Sequence, residues 1–365
     1  RHTKQEENMS APLSPNGALT LVPTPGYEKI AERIKAGIET FSQGKGRFKT
    51  KVDIAYPEFG LRSSKEPFLR LGKEHVGGHN CFVITSGPGT YQMTGQLELL
   101  LAYLAGRHAR RITVVSGYFP LGRSDKDEGK KEFALPPIYM KKMLAMARMN
   151  DVGFPRFISA DLHAPQTVMA GDTGFITEVS MVQRLVKHTA KLAKRKNMRF
   201  VLDFPDDGSA ERTEHAYATV EENLGISFPI VHGAKRRQSS TSSDLKEKFG
   251  DLAAIKGSIV GTLDDEWATG GTGMKNAAVL KNEFGAAITW MMVTHFVGCG
   301  NTLEQLADPN CPVDRLFITD TISIDNRPEI QPLIDMGRIE VVSWVSDLIK
   351  MIYFDHWNIS IREVR

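Results

Sequence analysis

The sequence predicts an α/β protein of two units, each a mostly parallel β-sheet flanked by helices. Three observations carry this expectation. Short apolar runs alternate with longer stretches whose apolar residues recur at helical spacing. The alternation halts near residues 165–178 and then restarts. The chain has 365 residues, which suits two domains at roughly 100–200 residues each. With 41% hydrophobic and 24% charged residues, it has the ordinary balance of a globular protein able to bury a core.

In the first unit, Cys81 to Thr85 reads as a buried strand. Thr94 to Arg107 follows as a helix, because Leu97, Leu100, Leu101 and Leu104 fall on one face. Arg111 to Ser116 is a strand, Pro136 to Arg148 a Met-rich helix and Phe157 to Ala160 a third strand. A methionine stripe of this kind is core filler rather than a cofactor site. In the second unit the helices are Val179 to Lys194, Ala210 to Leu224 and Gly273 to Glu283, with another beginning at Thr302. The strands are Arg199 to Phe204, Ser227 to His232, Ser258 to Leu263, Ala286 to Thr294, Leu316 to Thr319 and Ile339 to Val342, and a final helix reaches Ile352. The expected division is a disordered tail over 1–20, domains over 21–168 and 169–352, and a C-terminal tail over 353–365.

Composition narrows the function. The net charge is only +3, and the basic runs are short: Lys191 to Lys196, expected on a solvated helix face, and Lys235-Arg236-Arg237. That excludes the basic stripe of a nucleic-acid binder. The three cysteines, Cys81, Cys299 and Cys311, form no CxxC pair and no disulfide framework. A reducing, cytoplasmic setting fits them. No run approaches the roughly 18 apolar residues of a membrane span, and Arg1 to Ser10 lacks an apolar signal core.

Ligands of open parallel sheets bind beyond the C-terminal strand ends. The unusual polar residues of this chain collect there. Asp264-Asp265-Glu266-Trp267-Ala268-Thr269-Gly270-Gly271-Thr272 lies between a strand and a helix. Gly270 and Gly271 allow a tight turn that aims several backbone N–H groups at one anion. The helix start adds its positive dipole end. The Thr269 and Thr272 hydroxyls can donate to phosphate oxygens, and the Asp264-Asp265 pair can accept from two vicinal hydroxyls, as on a ribose ring. Three further strings follow strands: Asp161-Leu162-His163-Ala164-Pro165-Gln166, Pro205-Asp206-Asp207-Gly208-Ser209-Ala210-Glu211-Arg212, and His232-Gly233-Ala234-Lys235-Arg236-Arg237. The last precedes a Ser/Thr-rich stretch, Gln238 to Ser243, expected to be a mobile loop.

Together these strings resemble the ribose-phosphate pyrophosphokinases (PRPP synthetases), in family order and spacing over roughly residues 70–352. The first resembles the PRPP-binding loop shared with type I phosphoribosyltransferases. Asp-Leu-His-Ala-Pro-Gln is the most family-specific. Tyr118-Phe119-Pro120-Leu121-Gly122-Arg123-Ser124-Asp125 resembles the family's Phe-Pro-Tyr-Ala-Arg-Gln-Asp segment, and Thr294-His295-Phe296 and Phe317 to Ile322 have counterparts too. The resemblance implies two phosphoribosyltransferase-like, Rossmann-like domains. It implies that Arg123, Asp125 and His163 bind ATP, that His163 and Asp206 hold Mg2+, and that Lys235 and Arg237 are catalytic. Asp264, Asp265, Thr269, Gly270, Gly271 and Thr272 would bind the ribose phosphate.

The implied reaction moves a diphosphate from Mg-ATP to the C1 hydroxyl of ribose 5-phosphate, leaving AMP. Charge building on the transferring phosphoryl oxygens would be met by Lys235, Arg237 and Arg123. The implied partners are ATP and ribose 5-phosphate or a related sugar phosphate, with a homo-oligomer (dimer or hexamer) and neither nucleic acid nor membrane. Ser124, Asp207, Ser209 and Glu211 depart from the family pattern, and only a loose counterpart of its adenine-packing segment occurs around Tyr56 to Glu66. The sharpest departure is Ala268, where the family has Asp in Asp-Asp-x-x-Asp-Thr. It leaves two alternatives beside ribose 5-phosphate: ADP-ribose or another ribose with an esterified 5-phosphate as acceptor, and a non-catalytic protein like the PRPP-synthetase-associated regulators.

Overall fold

The computed structural model describes residues 14–73, 75–126, 133–147, 153–164, 167–168, 175–205, 217–239 and 242–360, with backbone alone at 153–155, 234–239 and 242–247. The first unit runs β1 (Leu19–Pro23), α1 (Glu28–Gly44), β2 (Val52–Ile54), β3 (Pro57–Leu61), β4 (Pro67–Leu71), β5 (Asn80–Thr85), α2 (Tyr91–Gly106), β6 (Arg111–Ser116), α3 (Pro136–Ala147), β7 (Gly153–Ala160) and β8 (Ile176–Val179). Six of these strands form one sheet in the order β2-β1-β5-β6-β7-β8, every pair parallel. The hairpin β3-β4 stands apart.

The second unit runs α4 (Val182–Arg195), β9 (Phe200–Phe204), β10 (Ile230–Ser239), β11 (Ser242–Gly250), β12 (Ile259–Trp267), α5 (Gly271–Asn282), β13 (Ile288–Phe296), α6 (Thr302–Ala307), β14 (Arg315–Ile318), α7 (Gln331–Asp335), β15 (Ile339–Val341) and α8 (Val345–His356). Residues 217–224 are also helical. The sheet order is β11-β10-β9-β12-β13-β14-β15. Only β10-β11 is antiparallel.

The expected α/β architecture is therefore present. Every residue of β1, β5 and β9 is buried, as parallel strands covered on both faces must be. Leu97, Leu100, Leu101 and Leu104 of α2 are wholly buried, as are Met140 and Met143 of α3. Thr90 starts α2 by accepting the Met93 N–H at 3.2 Å. Lys194 and Arg195 occupy the last turn of α4, where cations oppose the dipole's negative end. Among the described residues, no helix is long and apolar enough to cross a membrane.

Four segments differ from the sequence reading. Ile176–Val179, expected to open the second unit, pairs with β7 and completes the first sheet. Of the stretch expected as a mobile loop, the described residues lie in paired strands: Gln238 and Ser239 end β10, Ser242 and Ser243 begin β11, and Ser239 pairs with Ser242 and Arg237 with Ser243. Polar composition marks exposure, and a hairpin on a sheet edge is exposed while its backbone groups remain paired. Both expected tails also contribute structure. Within the first expected tail, Asn16 Nδ2 donates to His356 O at 2.9 Å and Leu19 and Thr20 begin β1.

At the other end, α8 leaves its own sheet and packs on α1. The Tyr353 hydroxyl accepts from Phe48 N at 2.7 Å and Trp357 Nε1 donates to Thr50 Oγ1 at 2.8 Å. Buried Asp355 takes Arg156 Nη1 at 2.8 Å and also pairs with Arg111. One apolar cluster runs from Ile30 and Ile34 of α1 through Leu348 and Ile352 of α8 to Leu185, Trp290 and Phe317 of the second unit. The two sheets are thereby held to each other.

Candidate active site

Strands β6 and β7 present their C-terminal ends to those of β12 and β13. Gly117 follows β6, and a Cβ there would lie 2.4 Å from the Thr321 carbonyl oxygen. Only glycine permits that approach. Next to it, Thr294 Oγ1 donates to Asp161 Oδ2 at 2.6 Å, and Met181 N donates to the same carboxylate oxygen at 2.9 Å. His295 Nε2 is 3.1 Å from each of the Ala160 and Asp161 carbonyl oxygens. Carbonyls only accept, so Nε2 carries the proton and Nδ1 faces the Thr321 hydroxyl at 3.0 Å. Burial pulls the His295 pKa down to about 4, so the ring is neutral. Burial pushes Asp161 up to about 6.

From this junction β12 runs on beyond its partner β9. The β9 pairing ends at Thr262↔Asp203, whereas β13 follows β12 to Trp267↔Phe296. Asp264, Asp265 and Glu266 lie on this one-sided extension. Buried Trp267 ends the strand, its Nε1–H donating to Thr302 Oγ1 at 2.7 Å. The chain then turns over the indole. Gly270 has φ +77, and a Cβ on it would sit 2.3 Å from the Trp267 ring. Gly298 N and Cys299 N bind the Trp267 and Ala268 carbonyls at 3.0 Å each. Thr269, Gly271 and Thr272 are exposed where α5 begins, and the first N–H groups of a helix have no partner inside it. This turn and helix start lie where the glycine spacing led us to expect an anion cradle.

The first unit supplies the opposite wall. His163 Nδ1 lies 2.6 Å from Asp265 Oδ2, and this hydrogen bond raises the His163 pKa above its ordinary value against the opposing effect of burial. Arg123 Nη1 lies 3.3 Å from Glu266 Oε1, and the Tyr118 hydroxyl donates to Glu266 Oε2 at 3.1 Å. Burial works against the Arg123 charge, but Glu266 more than compensates and its pKa is raised. Burial and the Glu266 charge together push the Tyr118 phenol up. Asp125 is half-buried two residues beyond Arg123.

The structure thus brings His163 and Arg123 onto the acid-and-glycine loop from the other sheet. Lys235 and Arg237 are placed by their backbone alone, and Asp206 lies outside the described residues. Just before it, buried Asp203 pairs with Lys248 and accepts from Thr262 Oγ1 at 2.8 Å and Asn276 Nδ2 at 2.6 Å. Sequence reasoning did not single out Glu266. The available signal was a third consecutive acid at a strand end, where one carboxylate more than a ribose requires must find a cation.

No protein-family model matches the chain. A ribose-phosphate pyrophosphokinase of Hyphomonas neptunium is 30% identical over 263 residues, 71% of this chain and 77% of that protein. The chain belongs to the ribose-phosphate pyrophosphokinase family. Another such enzyme, of Thermotoga maritima, is 28% identical over 77% of this chain and 84% of its own length. The PRPP synthetase of Mycobacterium smegmatis superposes with a TM-score of 0.71 over 93% of this chain and 99% of that one, at 22% identity. That likeness extends the family relationship to the fold. The low identities make this a divergent member, consistent with its departures at Ser124, Asp207 and Ala268.

Proposed function

We propose that the chain transfers the terminal diphosphate of Mg-ATP to the C1 hydroxyl of ribose 5-phosphate, releasing AMP and 5-phosphoribosyl 1-diphosphate. The observation that carries this reading is the joint placement of two half-sites. An acid pair with an anion cradle on β12-α5 faces a histidine and an arginine from the β6 and β7 ends, 2.6 and 3.3 Å away from adjacent acids. Donor and acceptor can meet only where both halves are present.

The 5-phosphate lies on the amides and hydroxyls of Thr269 to Thr272, and Asp264 and Asp265 receive the ribose hydroxyls. Arg123 and His163 take the nucleotide phosphates, Lys235 and Arg237 the transferring diphosphate. The C1 oxygen attacks the β-phosphorus, the bond from that phosphorus to the oxygen bridging it to the α-phosphate breaks, and the hydroxyl proton leaves to water. Positioning and charge stabilisation account for the acceleration. Mg2+ fits this donor set, because it binds through one or two carboxylates together with phosphates and water. It therefore does not require the group of three ligating side chains that is absent among the described residues. His163 and Asp206 would hold it, and it would neutralise phosphate charge.

Ala268 favours one second reading: without a carboxylate at that position, a ribose with an esterified 5-phosphate is a possible acceptor. The test is AMP release from Mg-ATP with ribose 5-phosphate and with ADP-ribose. AMP formed with ribose 5-phosphate is expected. AMP formed only with ADP-ribose transfers the assignment to that acceptor, and AMP with neither overturns the proposed catalysis.

A further inference from the structure

We propose that Glu266 is a positioning residue for the nucleotide: it fixes Arg123 against the sugar-phosphate half of the site, so that ATP and acceptor are held in one register. The inference rests on the proposed function for the identity of the nucleotide, and on the geometry of Glu266 for everything else.

Glu266 follows the acid pair directly, but its surroundings differ from those of Asp265. Its side chain is 5% exposed, whereas that of Arg123 is 59% exposed. The carboxylate is thus the buried, fixed partner and the guanidinium the accessible one. Each Glu266 oxygen has its own donor from the other unit: Oε2 takes the Tyr118 hydroxyl at 3.1 Å, and Oε1 takes Arg123 Nη1 at 3.3 Å. Tyr118 is itself set, 3% exposed and packed edge-on against the neutral ring of His295 at 5.0 Å between centroids. Its backbone N–H binds Ser86 Oγ at 2.7 Å. The carboxylate therefore has a rigid phenol on one oxygen and a largely exposed arginine on the other.

A single N–H of Arg123 makes that contact. A guanidinium offers five donors in a planar fork, so the contact anchors one N–H and leaves further donors to bind phosphate oxygens. A buried carboxylate without a cation is costly, and an unpinned, exposed arginine would lose several rotatable bonds' worth of freedom on binding phosphate. Glu266 removes both costs in one contact. Since it sits on the strand that carries Asp264, Asp265 and the anion cradle, the nucleotide-side cation is referenced to the sugar-side backbone. Its expected effect is on nucleotide affinity through Arg123, with no contact of its own to the nucleotide.

The test is a double-mutant cycle on equilibrium Mg-ATP binding by calorimetry, with Glu266→Gln, Arg123→Ala and the double variant of the full chain. Glu266→Gln keeps shape and one acceptor and removes the charge. It is expected to weaken Mg-ATP binding by about tenfold, the lower end for one hydrogen bond to a charged group, and to change binding less than twofold in the Arg123→Ala background, because residues acting through one another are not additive. The KM for ribose 5-phosphate should stay put while that for ATP rises. Equal losses in both backgrounds, unchanged or tighter binding by Glu266→Gln, or an Arg123→Ala variant that binds as wild type would each overturn the inference. Because binding is read without an acceptor, wild-type chain that binds Mg-ATP and releases no AMP sinks the proposed catalysis alone. Wild-type chain that does not bind Mg-ATP sinks both.

Discussion

Gly117→Ala tests the junction of the two units with one added methyl group. The new Cβ would meet Thr321 O at 2.4 Å and the Thr321 Cα and Cβ at 2.8 Å. Two of these three atoms are backbone, so no side-chain rotation relieves the clash. Ordinary non-bonded contact would require an opening of about 1 Å. Overpacking of this kind costs about 1–3 kcal/mol. The same opening would draw Tyr118 and Arg123 away from Glu266, and His163 away from Asp265, and a misplacement of ~1 Å at reacting groups costs up to ~100-fold in rate. Gly95→Ala is the matched control: Gly95 lies inside α2 with nothing within 4 Å of its would-be Cβ. There the same change should stabilise by up to ~1 kcal/mol through helix propensity. Urea midpoints should therefore move in opposite directions, and AMP release should fall only for Gly117→Ala. If Gly117→Ala matched the control in midpoint and kept full activity, the close approach at Thr321 would have no bearing on the site.

Two further predictions follow from the hydrogen bonds around the loop. Asp265→Asn removes the main influence holding the His163 pKa above 6.5, so an NMR titration of His163 should show its midpoint falling. A raised folded pKa gives stability that is complete below the unfolded value and lost as pH rises through the folded value. The stability gap between wild type and Asp265→Asn should thus close as pH rises through the wild-type midpoint, and an unchanged His163 titration would refute the pairing. Thr302→Val takes away the acceptor of the buried Trp267 indole N–H, which should cost about 1–3 kcal/mol in urea unfolding; a loss under ~0.5 kcal/mol would mean that the indole finds another partner.

The glycine loop was legible because everything it needs is local. A strand, two acids, Thr-Gly-Gly-Thr and a helix lie within one short window, and the left-handed turn at Gly270 is one that glycine makes without penalty. The same holds for α2 and α3, whose buried faces repeat every three or four residues. Ile176–Val179 was harder to place, because four residues reading Ile-Thr-Glu-Val carry too little pattern to say which sheet they join. The hairpin at Lys235 was obscured by its polar composition, which reports solvent rather than backbone pairing.

The sequence by itself determined the alternation of elements, the parallel sheets and the strand-end position of the chemistry, since all three follow from periodicity and chain direction within short windows. Tertiary structure alone decided which charged groups meet. His163 and Asp265 are 102 positions apart and Arg123 and Glu266 are 143 apart, while α8 closes the molecule by packing on α1 near the other end of the chain. Such contacts depend on how two finished sheets dock, and docking is set by the summed burial of many side chains and one permissive glycine, a quantity that no local window of sequence contains.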